Sequence, residues 1–259
     1  MKLNIVPART GVQWVKLGVQ TFLKQPLALT GLFFMYMAAV LVISQLPVVG
    51  TVLGAMLVPA ATLGLMAATA EAASGRFPMP TLLIAAFRAG RQRAKAMLIL
   101  GFIYLLVILA LSLLLPIEAA PATETAPAQV KLTFGLLLLA VVQPPILVVF
   151  SLAPGLVHWH GIGPVKSIFF SIVALWRNLG AFTLFAFGWM LVVGGLMLVL
   201  GLFLAAFGVE PSVQSLSPVL MIVATMISTS LYFTFRDSFH ADDNDEAPPA
   251  PAPGGEDTP

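Results

Sequence analysis

Charged residues are so sparse along this chain that the gaps between them, more than any periodicity, mark its elements. Between Lys24 and Glu71 lie 46 consecutive residues without Asp, Glu, Lys or Arg. A helix needs about 20 mostly apolar residues to cross about 30 Å of hydrocarbon, and a charge at mid-depth costs about 2.5–3.5 kcal/mol on the insertion scale. The stretch is too long for one crossing and fits two joined by a turn at residues 45–50. Charge-free runs from Ala96 to Ile117, Leu132 to Val157, Asn178 to Val209 and Pro211 to Phe235 each fit one crossing. The pattern predicts six spans, over about 27–45, 49–70, 96–116, 132–157, 179–207 and 216–235. The expected fold class is therefore all-α, a polytopic membrane helical bundle.

Composition agrees. The 259 residues are 59% hydrophobic and 9% charged, with a mean hydropathy of +0.99, whereas a soluble domain carries about 25% charged residues to face water. With no cysteine, disulfides, thiolate metal sites, iron–sulfur clusters and thiol nucleophiles are excluded. The N-terminus does not read as a cleavable signal: Lys2, Arg9, Lys16 and Lys24 recur before the first apolar run, and Pro47 and Val48 follow it where small cleavage-site residues belong. The first span is expected to stay in the membrane.

Basic residues orient the spans. Six crossings put the N-terminus, residues 71–95, residues 158–177 and the C-terminus on one side, and these hold twelve of the thirteen Lys and Arg, leaving only Lys131 opposite. Basic segments resist translocation, so both termini are expected in the cytoplasm. Residues 237–259 hold seven acids, no Lys or Arg, and a Pro/Ala/Gly run from Pro248 to Gly255. Such a segment lacks the apolar surface to fold, so a disordered acidic cytoplasmic tail is expected. It reads either as solvated chain or as a tether for a basic surface.

The segments before the odd-numbered spans share a spacing: Gly11 to Lys24, Pro80 to Arg93 and Pro164 to Arg177 are each 13 residues apart. They predict a threefold repeat of an interfacial helix followed by a helical hairpin. In the first copy Val12, Val15, Val19, Phe22 and Leu23 share a face beside Gln13, Lys16, Gln20 and Lys24, which suits a helix lying in the interface. In the second, over Leu82 to Lys95, Leu82, Leu83 and Ala86 oppose Arg88, Arg91, Gln92 and Lys95. The third, with Ile168, Phe169, Phe170, Ile172 and Val173, is apolar enough to pack on the bundle.

Candidate chemistry is thin. No span carries an ionisable residue in its interior, and such residues mark proton relays and charged-substrate paths. The second span has Pro59, and the fourth has Gln143, Pro144 and Pro145. Proline frees backbone carbonyls, so these positions either line a cavity or are kinks stabilised by neighbours. His158 and His160 flank Trp159; on an extended strand they would project to one side and share a metal, while at the headgroup level they and Trp159 form an interfacial anchor. Arg88, Arg91, Arg93 and Lys95 form a cluster that either binds anionic lipid or only enforces topology. Nucleic-acid binding lacks a folded basic surface with interleaved aromatics. No nucleophile, base and metal can be assembled, so the chain is expected not to be an enzyme and to need no cofactor.

The segments LNIVPARTGVQWVKLG (3–18), QPLALTGLFFMYM (25–37), AAFRAGRQ (85–92) and LVHWHG (156–161), continuing through Lys166, Ser167, Phe169, Phe170, Arg177, Asn178 and Gly180, together resemble an uncharacterised family of multi-spanning inner-membrane proteins of beta-proteobacteria. The resemblance covers about residues 3–235, implies a bacterial inner membrane and carries no activity. More remotely, the arrangement is similar to the membrane domain attached to some glycerophosphodiester phosphodiesterases, without a counterpart of their catalytic domain. The expected function is non-enzymatic organisation of membrane lipids, especially anionic ones, or of a membrane-protein partner. The alternative is a passive or weakly selective transporter built on the kinked second and fourth spans.

Overall fold

The computed structural model describes residues 2–47, 49–115, 134–209 and 212–240; the acidic segment beyond His240 and the connection 116–133 lie outside them. The helices are α1 (Thr10–Lys24), α2 (Pro26–Ser44), α3 (Val49–Ala73), α4 (Ala85–Arg88), α5 (Arg91–Leu114), α6 (Phe134–Trp159), α7 (Pro164–Arg177), α8 (Leu179–Ala206) and α9 (Val213–Ser238). A 3-10 helix, Pro80–Ile84, precedes α4, and a two-residue strand β1 (Lys2–Leu3) pairs antiparallel with β2 (Phe239–His240). Six helices, α2, α3, α5, α6, α8 and α9, are long and apolar enough to cross a membrane.

The order is a short helix followed by a long hairpin, three times over: α1 before α2–α3, the 3-10/α4 segment before α5–α6, and α7 before α8–α9. Two returning helices share a further signature. Pro59 lies 16 residues before Gly75 in α3 and its exit, and Pro145 lies 16 before Gly161 in α6 and its exit; both glycines take a positive φ that ends the helix. The returning helices α3, α6 and α9 pack on one another at the centre, with α2 and α5 laid against α3 and α8 held mainly by α1. Leu63, Met66, Leu100, Leu152, Leu156 and Phe233 are buried there.

Burial follows size as much as polarity. Between helices in a bilayer there is no hydrophobic gain over lipid, so small residues that allow close approach take the contacts. Gly101 of α5 sits so close to α3 that a Cβ there would lie 2.0 Å from the Met56 carbonyl oxygen. On α9, Thr225, Thr229, Ser230, Thr234 and Ser238 are all buried. Four of their hydroxyls donate back along the helix, Thr225 to Met221 O (2.9 Å), Thr229 to Thr225 O (2.8 Å), Ser230 to Ile227 O (2.5 Å) and Thr234 to Leu231 O (2.8 Å). Large apolar groups such as Leu198, Val199 and Leu202 on α8 face outward, where lipid is their solvent.

Two expectations are corrected, for α1 and for the helix over Leu82 to Lys95, and α7, which packs on the bundle as expected, does so largely through small residues. In α1 the packed face is Thr10, Gly11, Trp14, Val15, Gly18, Thr21 and Phe22, while Val12 and Leu23 are exposed. A Cβ at Gly11 would meet the Ala181 carbonyl oxygen at 2.0 Å, so α1 is docked on α8 and α9 and not simply afloat in the interface. In α7 the buried residues are Ser167, Ser171, Ala174 and Leu175, and Phe169 and Ile172 point outward; its small side packs on α6. The continuous helix expected over Leu82 to Lys95 is broken: Gly90 has φ +98°, a conformation that L side chains rarely adopt. Arg91, Arg93 and Lys95 therefore belong to the first turns of the long helix α5.

Candidate functional site

The two ends of the described chain, residues 2–6 and 237–240, meet at one end of the bundle, and a set of hydrogen bonds fixes them. The Trp14 indole N–H donates to Asp237 Oδ2 at 2.9 Å, and Arg236 Nε donates to Asp237 Oδ1 at 2.8 Å. The Trp14 ring lies fully buried against Phe182 and Phe185, with centroids 5.1 and 6.0 Å away. Asn178, between α7 and α8, accepts from Val6 N at 2.8 Å and donates to Asn4 O at 3.0 Å. Asn4 in turn donates through Nδ2 to Asp237 O and through its backbone to Ser238 O. Asp237 through His240 are thus part of α9 and β2, a correction to the expectation that the tail starts at 237. The anchoring partners Trp14 and Asn178 lie far away in sequence, and counting Asp237 among the tail acids concealed its role. An indole on the buried side of an amphipathic helix, whose N–H needs an acceptor, was the usable signal for Trp14.

The basic cluster has a different character. Arg88 ends α4, Gly90 turns the backbone, and Arg91, Arg93 and Lys95 start α5. All four side chains are exposed and none pairs with a carboxylate among the described residues. Exposed apolar groups stand beside them, Ile84, Phe87, Leu98 and Ile99. Cation and hydrocarbon on one rim match the headgroup boundary of a bilayer. The other ion pair at this end, between Arg76 and Glu71, has its second contact at 3.1 Å and is separate from the cluster.

His158 and His160 do not share an extended strand. His158 is in the last turn of α6, with its ring 5.9 Å from that of Trp159, and His160 follows the helix with its ring 6.0 Å from that of Phe235. His158 Nδ1 is shielded without a hydrogen-bond partner among the described residues. Among those residues no group of three His, Cys, Asp or Glu is arranged to hold a metal. Trp159 packs on Phe235 at 5.0 Å and remains partly exposed.

Among the described residues, Pro59 and Gln143 do not share a cavity. Pro59 is buried, and its neighbour Val58 lines an apolar cavity of about 280 Å³ with Thr62, Tyr104, Ser151 and Trp189. Gln143 lines another, of about 330 Å³, with Leu111, Ser112 and Leu139 toward the opposite end. Pro144 and Pro145 are exposed; Pro144 borders the cavity at Val58, and both prolines line an apolar groove of about 460 Å³ against α8.

Six apolar spans with packed interfacial helices at one basic end define a polytopic helical-bundle membrane protein. A Burkholderia thailandensis protein bearing the name "Probable inner membrane protein" is 32% identical over 260 residues, which cover 92% of this chain and 94% of the relative. The chain belongs to that family and is a multi-pass inner-membrane protein, as the segments 3–18, 25–37, 85–92 and 156–161 imply. No protein-family model and no solved structure matches it.

Proposed function

We propose that this protein is a non-enzymatic organiser of the inner membrane, gathering anionic phospholipid around its basic end, with both termini in the cytoplasm. The observation that carries this reading is the rim formed by Arg88, Arg91, Arg93 and Lys95. Four exposed cations, unpaired with any described carboxylate, stand beside Phe87, Leu98 and Ile99. Each basic residue near an anionic leaflet contributes about 1 kcal/mol, an attraction weakened by salt. A membrane-protein partner docking on the same end is compatible with this role. Passive transport through α3 and α6 is the competing reading; it needs a polar passage from Pro59 to Gln143, and the mostly apolar walls of the cavities beside Val58 and Gln143 favour organisation.

The test is native mass spectrometry of the detergent-solubilised protein. Replacing Arg88 and Arg91 by Gln leaves ten basic residues to hold the topology and should reduce co-purified phosphatidylglycerol and cardiolipin. Unchanged lipid retention would sink the reading. Orientation is tested by reporter fusions: those after Arg93, Gly163 and Phe239 should report cytoplasm, and one near Ala126 periplasm.

A further inference from the structure

Five cavities stand out among the described residues, and one has charged side chains in its wall. It encloses about 470 Å³ between the start of α5 and the α6–α7 connection, within the range of about 300–1,000 Å³ usual for small-ligand sites. Gln92, Arg93 and Lys95 form its polar side, and Ile99, Val157 and Ile162 its apolar side. No acid lines it. The cluster read from sequence as one basic helix is thereby divided: Arg88 and Arg91 lie on the rim outside the cavity, while Arg93 and Lys95, also exposed, form part of the wall of a half-open cavity.

Backbone adds to the positive field. The first described main-chain N–H of α5 that bonds back to its N-cap is that of Ala94, to Gly90 O at 3.0 Å, and no side chain caps the helix. The N–H groups of Arg91, Gln92 and Arg93 are thus left for an external acceptor. Gly163 and Pro164, the N-cap and first residue of α7, form another part of the wall, so the positive ends of two helices border one cavity.

Depth selects the kind of anion. Six residues separate Arg93 from Ile99, which at 1.5 Å per residue is about 9 Å along α5. The headgroup layer of one leaflet is about 5–8 Å thick. A group held by Arg93 at phosphate depth therefore reaches hydrocarbon depth at Ile99, with Val157 and Ile162 as further apolar wall, the profile of an amphiphile. A free phosphate would use the cations and leave the apolar floor empty.

We propose that this cavity is a specific seat for one anionic phospholipid, with its phosphate at Arg93, Lys95 and the first-turn amides of α5, and its upper acyl carbons on Ile99, Val157 and Ile162. The proposal rests on the lipid-organising reading and sharpens it from a diffuse rim to a single site.

The experiment is native mass spectrometry of the full chain with added phosphatidylglycerol, phosphatidylethanolamine or inorganic phosphate, under rising collisional activation. Wild type should hold one phosphatidylglycerol after the loosely bound molecules are stripped, with at least tenfold preference over phosphatidylethanolamine. The double variant R93Q/K95Q should lose that molecule at least tenfold, whereas R88Q/R91Q should keep it while losing the weaker adducts. I99W keeps every charge and fills the floor, so it should also lose the molecule; circular dichroism checks that each variant is folded. Should the charge variants fail to fold, I99W with phosphate competition decides alone. Retention of the molecule by folded R93Q/K95Q or I99W overturns the proposal, as does its displacement by millimolar inorganic phosphate. Loss of weak adducts in R88Q/R91Q alongside that result leaves the broader reading standing.

Discussion

Trp14 offers the sharpest check on how the two termini are joined. Its indole is fully buried on Phe182 and Phe185, and its N–H donates to Asp237. Trp14→Phe keeps most of the ring contact and removes the donor, a hydrogen bond to a charged group worth about 1.5–3 kcal/mol. The Asp237 side chain is 23% exposed and keeps Arg236 on its other oxygen, so water partly replaces the indole and the lower figure applies. About 1.5 kcal/mol is a shift of roughly tenfold in the unfolding equilibrium. Trp14→Ala also opens a void between α1, α8 and α9, for which about 3–5 kcal/mol is expected, or roughly two to four powers of ten. The assay is unfolding by SDS in dodecyl maltoside, followed by far-ultraviolet circular dichroism so that loss of indole fluorescence does not interfere. A cycle with Asp237→Asn should return a coupling of about 1 kcal/mol. Wild-type stability in Trp14→Phe, or no further loss in Trp14→Ala, would refute this account of the junction.

Three further outcomes follow from the packing. Gly90→Ala places a side chain at φ +98° and should destabilise the chain by about 1–3 kcal/mol, visible in the same SDS titration; an unaffected midpoint would mean that α4 and α5 tolerate a continuous helix. Gly101→Leu drives a side chain into the Met56 carbonyl and should separate α3 from α5 at a cost of about 1–3 kcal/mol or more, read as a lowered melting temperature and a longer spin-label distance between those helices. A chain ended at His240 retains Asp237 and buried Phe239, and one ended at Arg236 loses both; the second should melt well below the first, and equal melting temperatures would show that the β1–β2 end contributes nothing.

The number of spans, the class of fold and the concentration of basic residues were legible without coordinates. Each depends on the cost of placing charge in hydrocarbon, which one residue imposes on its own segment wherever the rest of the chain lies. The 13-residue spacing likewise anticipated the order of short helix and hairpin seen three times. Which face of each short helix packs was not legible. Hydrophobic periodicity assumes that the solvent is water, but α1 and α7 border lipid, so Val12, Leu23 and Phe169 lose little by facing out while Gly11, Gly18, Ser167 and Ser171 gain close contact by facing in. Nor could the basic cluster be resolved along the chain: only the positive φ at Gly90 divides it, and only the approach of the α6–α7 connection builds a cavity beside Arg93 and Lys95. The Trp14–Asp237 bond spans 223 residues. Contacts of that kind are decided by how helices stack, because their energy arises between segments and leaves no local trace in either one.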